Sequence, residues 1–121
     1  MTSPATPEGE QEEVLFQKTL ESNPPKDIVL MTVEYAPGAG DSPHLHPGYA
    51  FVYVMAGEMV SQLDGQSKQV YRSGQSWFEQ PYEHHVTCRN ASTSKPAKIL
   101  VFFLLEHGSK NTIDLPEAEH K

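Results

Sequence analysis

Residues Ile99 to Leu105 read ILVFFLL, seven consecutive apolar side chains in a chain of 121 residues. The run is too short to span a membrane and has no polar stripe for an amphipathic helix to turn outward. Its β-branched and aromatic content suits a strand. Successive side chains of a strand point to opposite faces. One alternate set, either Leu100, Phe102 and Leu104 or else Ile99, Val101, Phe103 and Leu105, can fill a core. The other set needs a cover, because burying each such side chain is worth roughly 1.5–3 kcal/mol. A second sheet, the chain's own ends or a second copy could provide it, and a two-fold homodimer is the expectation.

The rest of the body reads the same way. Strands are expected at Val14–Leu20, Ile28–Tyr35, Tyr49–Met55, Met59–Leu63, Gln69–Arg72, Ser76–Glu79 and His85–Arg89. In the second of these, Val29, Met31, Val33 and Tyr35 share a face. Asp64-Gly65 is a two-residue hairpin signal, and Ala56-Gly57-Glu58 and Ser73-Gly74 mark further turns. Prolines 37, 43, 47, 81 and 96 all fall between these strands, where a missing N–H costs no ladder bond. No segment carries a helical period. Regularly spaced turns between short strands predict an all-β sandwich or barrel.

Length and composition set the limits. The chain is enough for one domain. Residues 1–11 are polar and acidic and read as a disordered arm, 12–107 as the barrel, and 108–121 as a polar tail on which Ile113 and Leu115 dock loosely. The net charge is −7, concentrated at the ends, which leaves the body nearly neutral and without the basic face that nucleic acid requires. Cys88 is the single cysteine, so no intrachain disulfide forms. There is no membrane-spanning run and no apolar leader, so a cytoplasmic protein is expected.

The segment with chemistry in it is Gly38-Ala-Gly-Asp-Ser-Pro-His44-Leu-His46-Pro-Gly. In extended chain, residues two apart project from one face, so His44 and His46 can reach one ion. A His-x-His pair is by itself a weak signal, equally compatible with two solvated loop histidines. His84 and His85 are neighbours, so in a strand only one of them can look into a barrel.

The wider pattern resembles the two motifs of the cupin superfamily. Gly38, His44, His46 and Gly57 fall in the order of the first motif, and Gly74, Pro81, His85 and Asn90 in that of the second. The stretches from Phe51 to Glu58 and from Arg72 to Pro81 are similar to the family's strand–turn segments. The resemblance covers about residues 28–105 and implies a double-stranded β-helix, or jelly-roll barrel. It implies His44, His46 and His85 as ligands of one divalent transition metal (Fe, Zn, Ni, Cu or Mn) and leaves His84 on the surface. The glutamate that the family places four or five residues after the second histidine is missing, since that position is Ala50, flanked by Tyr49 and Phe51. The expected shell is therefore three imidazoles completed by water or substrate, with Tyr49 as a less favoured ligand. Such an acid-free shell disfavours Mg and Mn and argues against oxalate-type enzymes.

Partners to the ligands' outer N–H groups are sought nearby, in Asp41, Ser42, Glu79 and Gln80. Tyr53, Trp77 and Phe102 are candidates to line a pocket, and Cys88 reads as a small buried hydrophobe. His107 and His120 read as solvated. What the resemblance implies is a metal-dependent small-molecule enzyme of dioxygenase or oxidoreductase type. The alternatives are a non-catalytic metal- or ligand-binding module and a metal-dependent isomerase or hydrolase. Neither the catalytic residues nor the substrate follows from the sequence.

Overall fold

The computed structural model describes residues 9–116, which form ten strands and no helix. The strands are β1 (Glu10–Leu20), β2 (Lys26–Tyr35), β3 (His44–Leu45), β4 (Tyr49–Ala56), β5 (Glu58–Leu63), β6 (Gln69–Arg72), β7 (Ser76–Glu79), β8 (His85–Asn90), β9 (Ala97–Glu106) and β10 (Ile113–Asp114). They make two five-stranded antiparallel sheets, ordered β1-β2-β9-β4-β7 and β10-β3-β8-β5-β6. Most neighbours in these sheets are not consecutive in the chain, so the strands wind back and forth between the sheets. This is the jelly-roll barrel expected from the sequence. None of the described residues forms a helix long and apolar enough to cross a membrane.

The apolar run lies at the centre of the first sheet. There β9 pairs with β2 along its whole length and with β4 on its other side. Ile99, Val101, Phe103 and Leu105 point inward and are buried with Val29, Met31, Val33 and Tyr35 of β2 and Ala50, Val52 and Val54 of β4. Leu100, Phe102 and Leu104 point outward and stay half-buried. Around them lie exposed Tyr49, Phe51, Tyr53 and Phe78. Phe51 and Phe78 pack with ring centroids 4.8 Å apart, and Phe51 and Phe102 at 6.1 Å.

The ends differ from expectation. Residues 1–8 of the acidic arm lie outside the described residues, but Glu10 and Gln11 already pair with Tyr35 and Glu34 in β1. Ile113 and Asp114, read as part of a tail, pair with Leu45 and His44. The Leu115 N–H also bonds the Pro43 carbonyl at 3.0 Å. This short strand closes the second sheet beside the histidine pair.

Two side-chain details hold the barrel's turns. Asn90 is buried, and its amide donates to the carbonyls of Tyr35, Ala36 and Lys95 while its oxygen accepts from Ser92 N–H. It thus ties the end of β8 to the end of β2 and the start of β9. Gly57 has φ of +78°, and a Cβ there would come within 2.6 Å of the Pro96 carbonyl oxygen. Only glycine meets both demands.

Candidate metal centre

Strand parity carries three histidines inward. His44 on β3 pairs directly with His85 on β8, and His46 follows two residues later on the same face. Their rings gather closely, with His44 4.9 Å from His46 and 5.0 Å from His85. All three are buried, whereas His84 is exposed. The choice of His85 over His84 agrees with this placement.

The fourth member is Glu79. It is 1 % exposed, and its ligand atom and those of His44, His46 and His85 all lie within 4.8 Å of one another. Donors on opposite sides of one ion with bonds of about 2.1 Å stand roughly 4.2 Å apart, so the widest pair has to close by about half an ångström to share a single ion. Where the sequence led to an acid-free shell, the structure places a carboxylate beside the three histidines. Glu79 stands directly across from Ala50 in the β4–β7 ladder. A carboxylate absent from position 50 is thus present at its cross-strand neighbour, and Ala50 there is small and fully buried. Tyr49 points out of the barrel and is 41 % exposed, so it supplies no ligand.

Hydrogen bonds set the protonation of the rings. The Nδ1–H of His44 donates to the Ser42 carbonyl at 2.7 Å, and that of His46 to the Asn111 carbonyl at 2.7 Å. A carbonyl can only accept, so each ring keeps its Nε2 lone pair for the centre. Thr112 Oγ1 lies 3.2 Å from the same His46 Nδ1. Ser61 Oγ holds His85 at Nε2, 2.8 Å away, which turns Nδ1 inward. That Nδ1 is 3.1 Å from Glu79 Oε2 but misaligned for a hydrogen bond. The indole N–H of Trp77 donates to Glu79 Oε2 at 2.9 Å. Glu79 Oε1 lies 3.4 Å from His46 Nε2 and also lacks a hydrogen-bond partner.

Two orphaned buried atoms are costly unless something binds them. A lone pair on His85 Nδ1 and a carboxylate oxygen on Glu79 are the donors that a divalent cation takes. Burial lowers the His46 pKa, which keeps the ring in the neutral form that ligates. Burial acts to raise the Glu79 pKa, but His85, His46 and the Trp77 N–H outweigh it, and the group stays ionised. The residues present fit a divalent transition metal.

The centre forms the floor of a cavity of about 340 Å³. Val33, Val52, Ile99, Val101 and Phe103 make its apolar wall, with Trp77 beside the histidines. Tyr53 and Phe102 do not line it, because odd-numbered residues of β4 and even-numbered residues of β9 face outward. Asp41 is in the wall but bonds the Tyr35 hydroxyl rather than a ligand ring. Gln80 is not in the cavity wall, and its backbone N–H is taken by Glu83. Cys88 is buried in the wall, 3.8 Å from the Tyr35 hydroxyl. His107 lies on the surface, 2.9 Å from Asp27, and His120 lies outside the described residues.

Sequence reasoning missed Ser61, Asn111 and Thr112 as partners of the rings, and the ligand position of Glu79. For Glu79 a signal existed. If Trp77 faces the core of a strand from Ser76 to Glu79, so does the residue two further on.

Residues 31–103, more than half of the chain, match the family described as cupin domain. No curated protein matches the chain. Among solved structures, one described as DMSP lyases superposes with a TM-score of 0.73 at 15% identity, covering 88% of this chain and 53% of that one. An oxalate oxidase in complex with glycolate gives 0.69 at 20%, covering 93% and 58%. An RmlC-like cupin from Shewanella frigidimarina gives 0.68 at 19%, covering 89% and 86%. The chain thus spans little more than half the length of the first two. At these identities the likeness is one of fold.

Proposed function

The chain belongs to the cupin domain family, and on that premise we propose that it is a metal-dependent enzyme of oxidoreductase type, acting on a small molecule, with His44, His46, Glu79 and His85 as the ligands of one divalent transition metal. The observation that carries this reading is the convergence of four buried donors, two of them orphaned, on the floor of a cavity large enough for a substrate. A structural ion needs no such cavity, whereas a catalytic one keeps an open position. When bound, the ion would supply Lewis acidity and, if it is iron, manganese or copper, a redox couple.

The chain's own groups do the rest. Ser42 and Asn111 fix the tautomers of His44 and His46. Glu79 offsets part of the ion's charge, and its presence makes Mn a candidate again beside Fe, Zn, Ni and Cu. The aliphatic wall and Phe103 keep bulk water from the reacting end of the substrate. An oxygen-dependent reaction, as in a dioxygenase, is the finer form of the proposal. It is supported by the nitrogen-rich donor set and by the oxidoreductases among the fold's relatives.

Elemental analysis of protein purified without added metal tests this reading. About one equivalent of iron, manganese or copper per chain is expected, lost in His44→Ala, His46→Ala and His85→Ala and kept in His84→Ala. Stoichiometric zinc in a closed four-ligand shell would remove the oxidoreductase reading.

We also propose that the protein is a homodimer through the outer face of the first sheet. Leu30, Leu100, Phe102, Phe51, Tyr53 and Phe78 border one shallow apolar groove there. This is a larger continuous apolar area than isolated surface residues give.

A further inference from the structure

The wall of the cavity above the histidines is not made of long strands throughout. Asn111, Thr112 and Asp114, from the segment that follows β9, form part of it. This segment, residues 107–116, sends no buried side chain into the core, every one being exposed or half-buried. A hollow of about 400 Å³ lies along its first half, lined by Ser109 to Thr112 and by Val14, Val29 and Leu105. Its base is fixed. Gly108 turns the chain with φ of +84°, its N–H donates to Asp27 Oδ2 at 2.9 Å, and His107 Nδ1 is 2.9 Å from Asp27 Oδ1. Its far end is attached by the two-residue ladder of β10 with β3 and by the Leu115 N–H, which donates to the Pro43 carbonyl at 3.0 Å. A segment with few buried apolar contacts and a short ladder opens at low free-energy cost.

The same segment holds one of the candidate ligands. The Nδ1–H of His46 donates to the Asn111 carbonyl at 2.7 Å, with Thr112 Oγ1 at 3.2 Å. The other two rings are held from within the barrel. Ser42, whose carbonyl takes the His44 N–H, is two residues away along the chain, and Ser61, which holds His85, is a buried residue of β5. Of the three rings, His46 is the one whose outer partner sits on a segment able to leave. A ring that shares its Nε2 lone pair with a cation takes on part of the charge, so its Nδ1–H becomes a stronger donor. Metal binding and the docking of residues 107–116 thus favour each other, and by linkage each does so by the same factor. Outer hydrogen-bond partners of this kind are worth about tenfold to a hundredfold in metal affinity.

We propose that residues 107–116 are a latch: they close one side of the cavity when His46 is bound to a metal ion and swing out about Gly108 more readily when it is not. This rests on the metal reading of the centre and adds to it what controls entry to the cavity. Asn111 and Thr112 are positioning residues in this scheme, acting through His46.

The test uses the full chain, stripped with a chelator and then loaded with Zn²⁺ as a redox-inert probe. Hydrogen exchange read by mass spectrometry should slow on loading by about tenfold or more over residues 107–116, the factor set by linkage. No comparable change is expected in β2, which carries no ligand. Leu115→Pro removes the N–H that ties the segment to Pro43, and Leu115→Ala keeps it. The proline variant should lose about tenfold in zinc affinity by competitive chelator titration and exchange rapidly over 107–116 with or without zinc. The alanine variant should behave as wild type. Equal exchange of the segment with and without zinc, in a wild type that binds one equivalent, would overturn the latch and leave the metal reading standing. So would wild-type zinc affinity in a Leu115→Pro variant whose segment exchanges freely. The wild-type comparison needs no variant, so it decides even if Leu115→Pro does not fold. A wild type that takes up no zinc at micromolar concentration would overturn the metal reading and the latch with it.

Discussion

At the scale of single residues, Ala50 and Glu79 exchange a role. They face each other across the β4–β7 ladder, so a carboxylate at either position can reach the same ion. The pair predicts a swap. Glu79→Ala should weaken metal binding by at least about tenfold to a hundredfold, the range seen when even indirect supports of a metal ligand are lost. Adding Ala50→Glu to that variant should recover most of the loss. Competitive chelator titration of the single and double variants reads the outcome, and a double variant no better than Glu79→Ala would mean that position 50 does not face the ion. The shared face of His44 and His46 was legible from the sequence because parity along a strand is a local property, and the choice of His85 over His84 came with the resemblance to cupins. His44 and His46 are two apart, and His84 and His85 are one apart. Parity within Ser76–Glu79 would also have turned Glu79 inward. Its nearness to His46 and His85 depends on which strands pair, and one strand's residues do not state that.

At the scale of elements, β3 is only two residues long, so the loop that follows largely decides where His46 sits. Gly48 lies against β9 in that loop. A Cβ there would come within 2.2 Å of the Leu104 carbonyl oxygen and 2.8 Å of the Leu105 side chain. Backbone cannot retreat as a flexible side chain can. Gly48→Ala should therefore cost about 1–3 kcal/mol, as other overpacking changes do, and should lower metal occupancy by displacing His46. A thermal melt and elemental analysis together check it; a melting temperature within a degree of wild type would show that β9 yields. Strand positions were read closely from alternation and turn residues. The two elements that escaped are short. The pairing of β3 was not foreseen, because two residues carry no period. β10 was read as tail, because its Ile113 and Asp114 are exposed and gain their order only by pairing with Leu45 and His44. That pairing brings Asn111 and Thr112 to His46, 65 and 66 residues away in sequence.

At the scale of the whole molecule, the seven-residue apolar run has one face in the barrel and the other half-buried, with Phe102 beside Phe51 and Phe78 of the neighbouring strands. β1 flanks this face at the sheet's edge and does not lie over it, since it is bonded in plane beside β2. The homodimer proposed above would complete the cover. Light scattering at micromolar concentration should give a mass near twice 13.5 kDa, and Phe102→Glu should move it toward the monomer without emptying the metal site. A monomer mass for the wild type would refute the dimer. The sequence by itself determined an all-β sandwich or barrel, the shared face of Val29, Met31, Val33 and Tyr35 and that of His44 and His46, while the jelly-roll class and the choice of His85 came with the resemblance to cupins. The strand readings follow from the two-residue period of extended chain and from turn chemistry, which act between near neighbours. The tertiary structure alone decided that a carboxylate of β7 stands beside the three histidines, that the segment before β10 bonds His46, and that Glu10, Glu12, Asp41 and Asp114 line one cavity. Those are matters of register between distant strands, and register is set by the packing of the whole barrel at once.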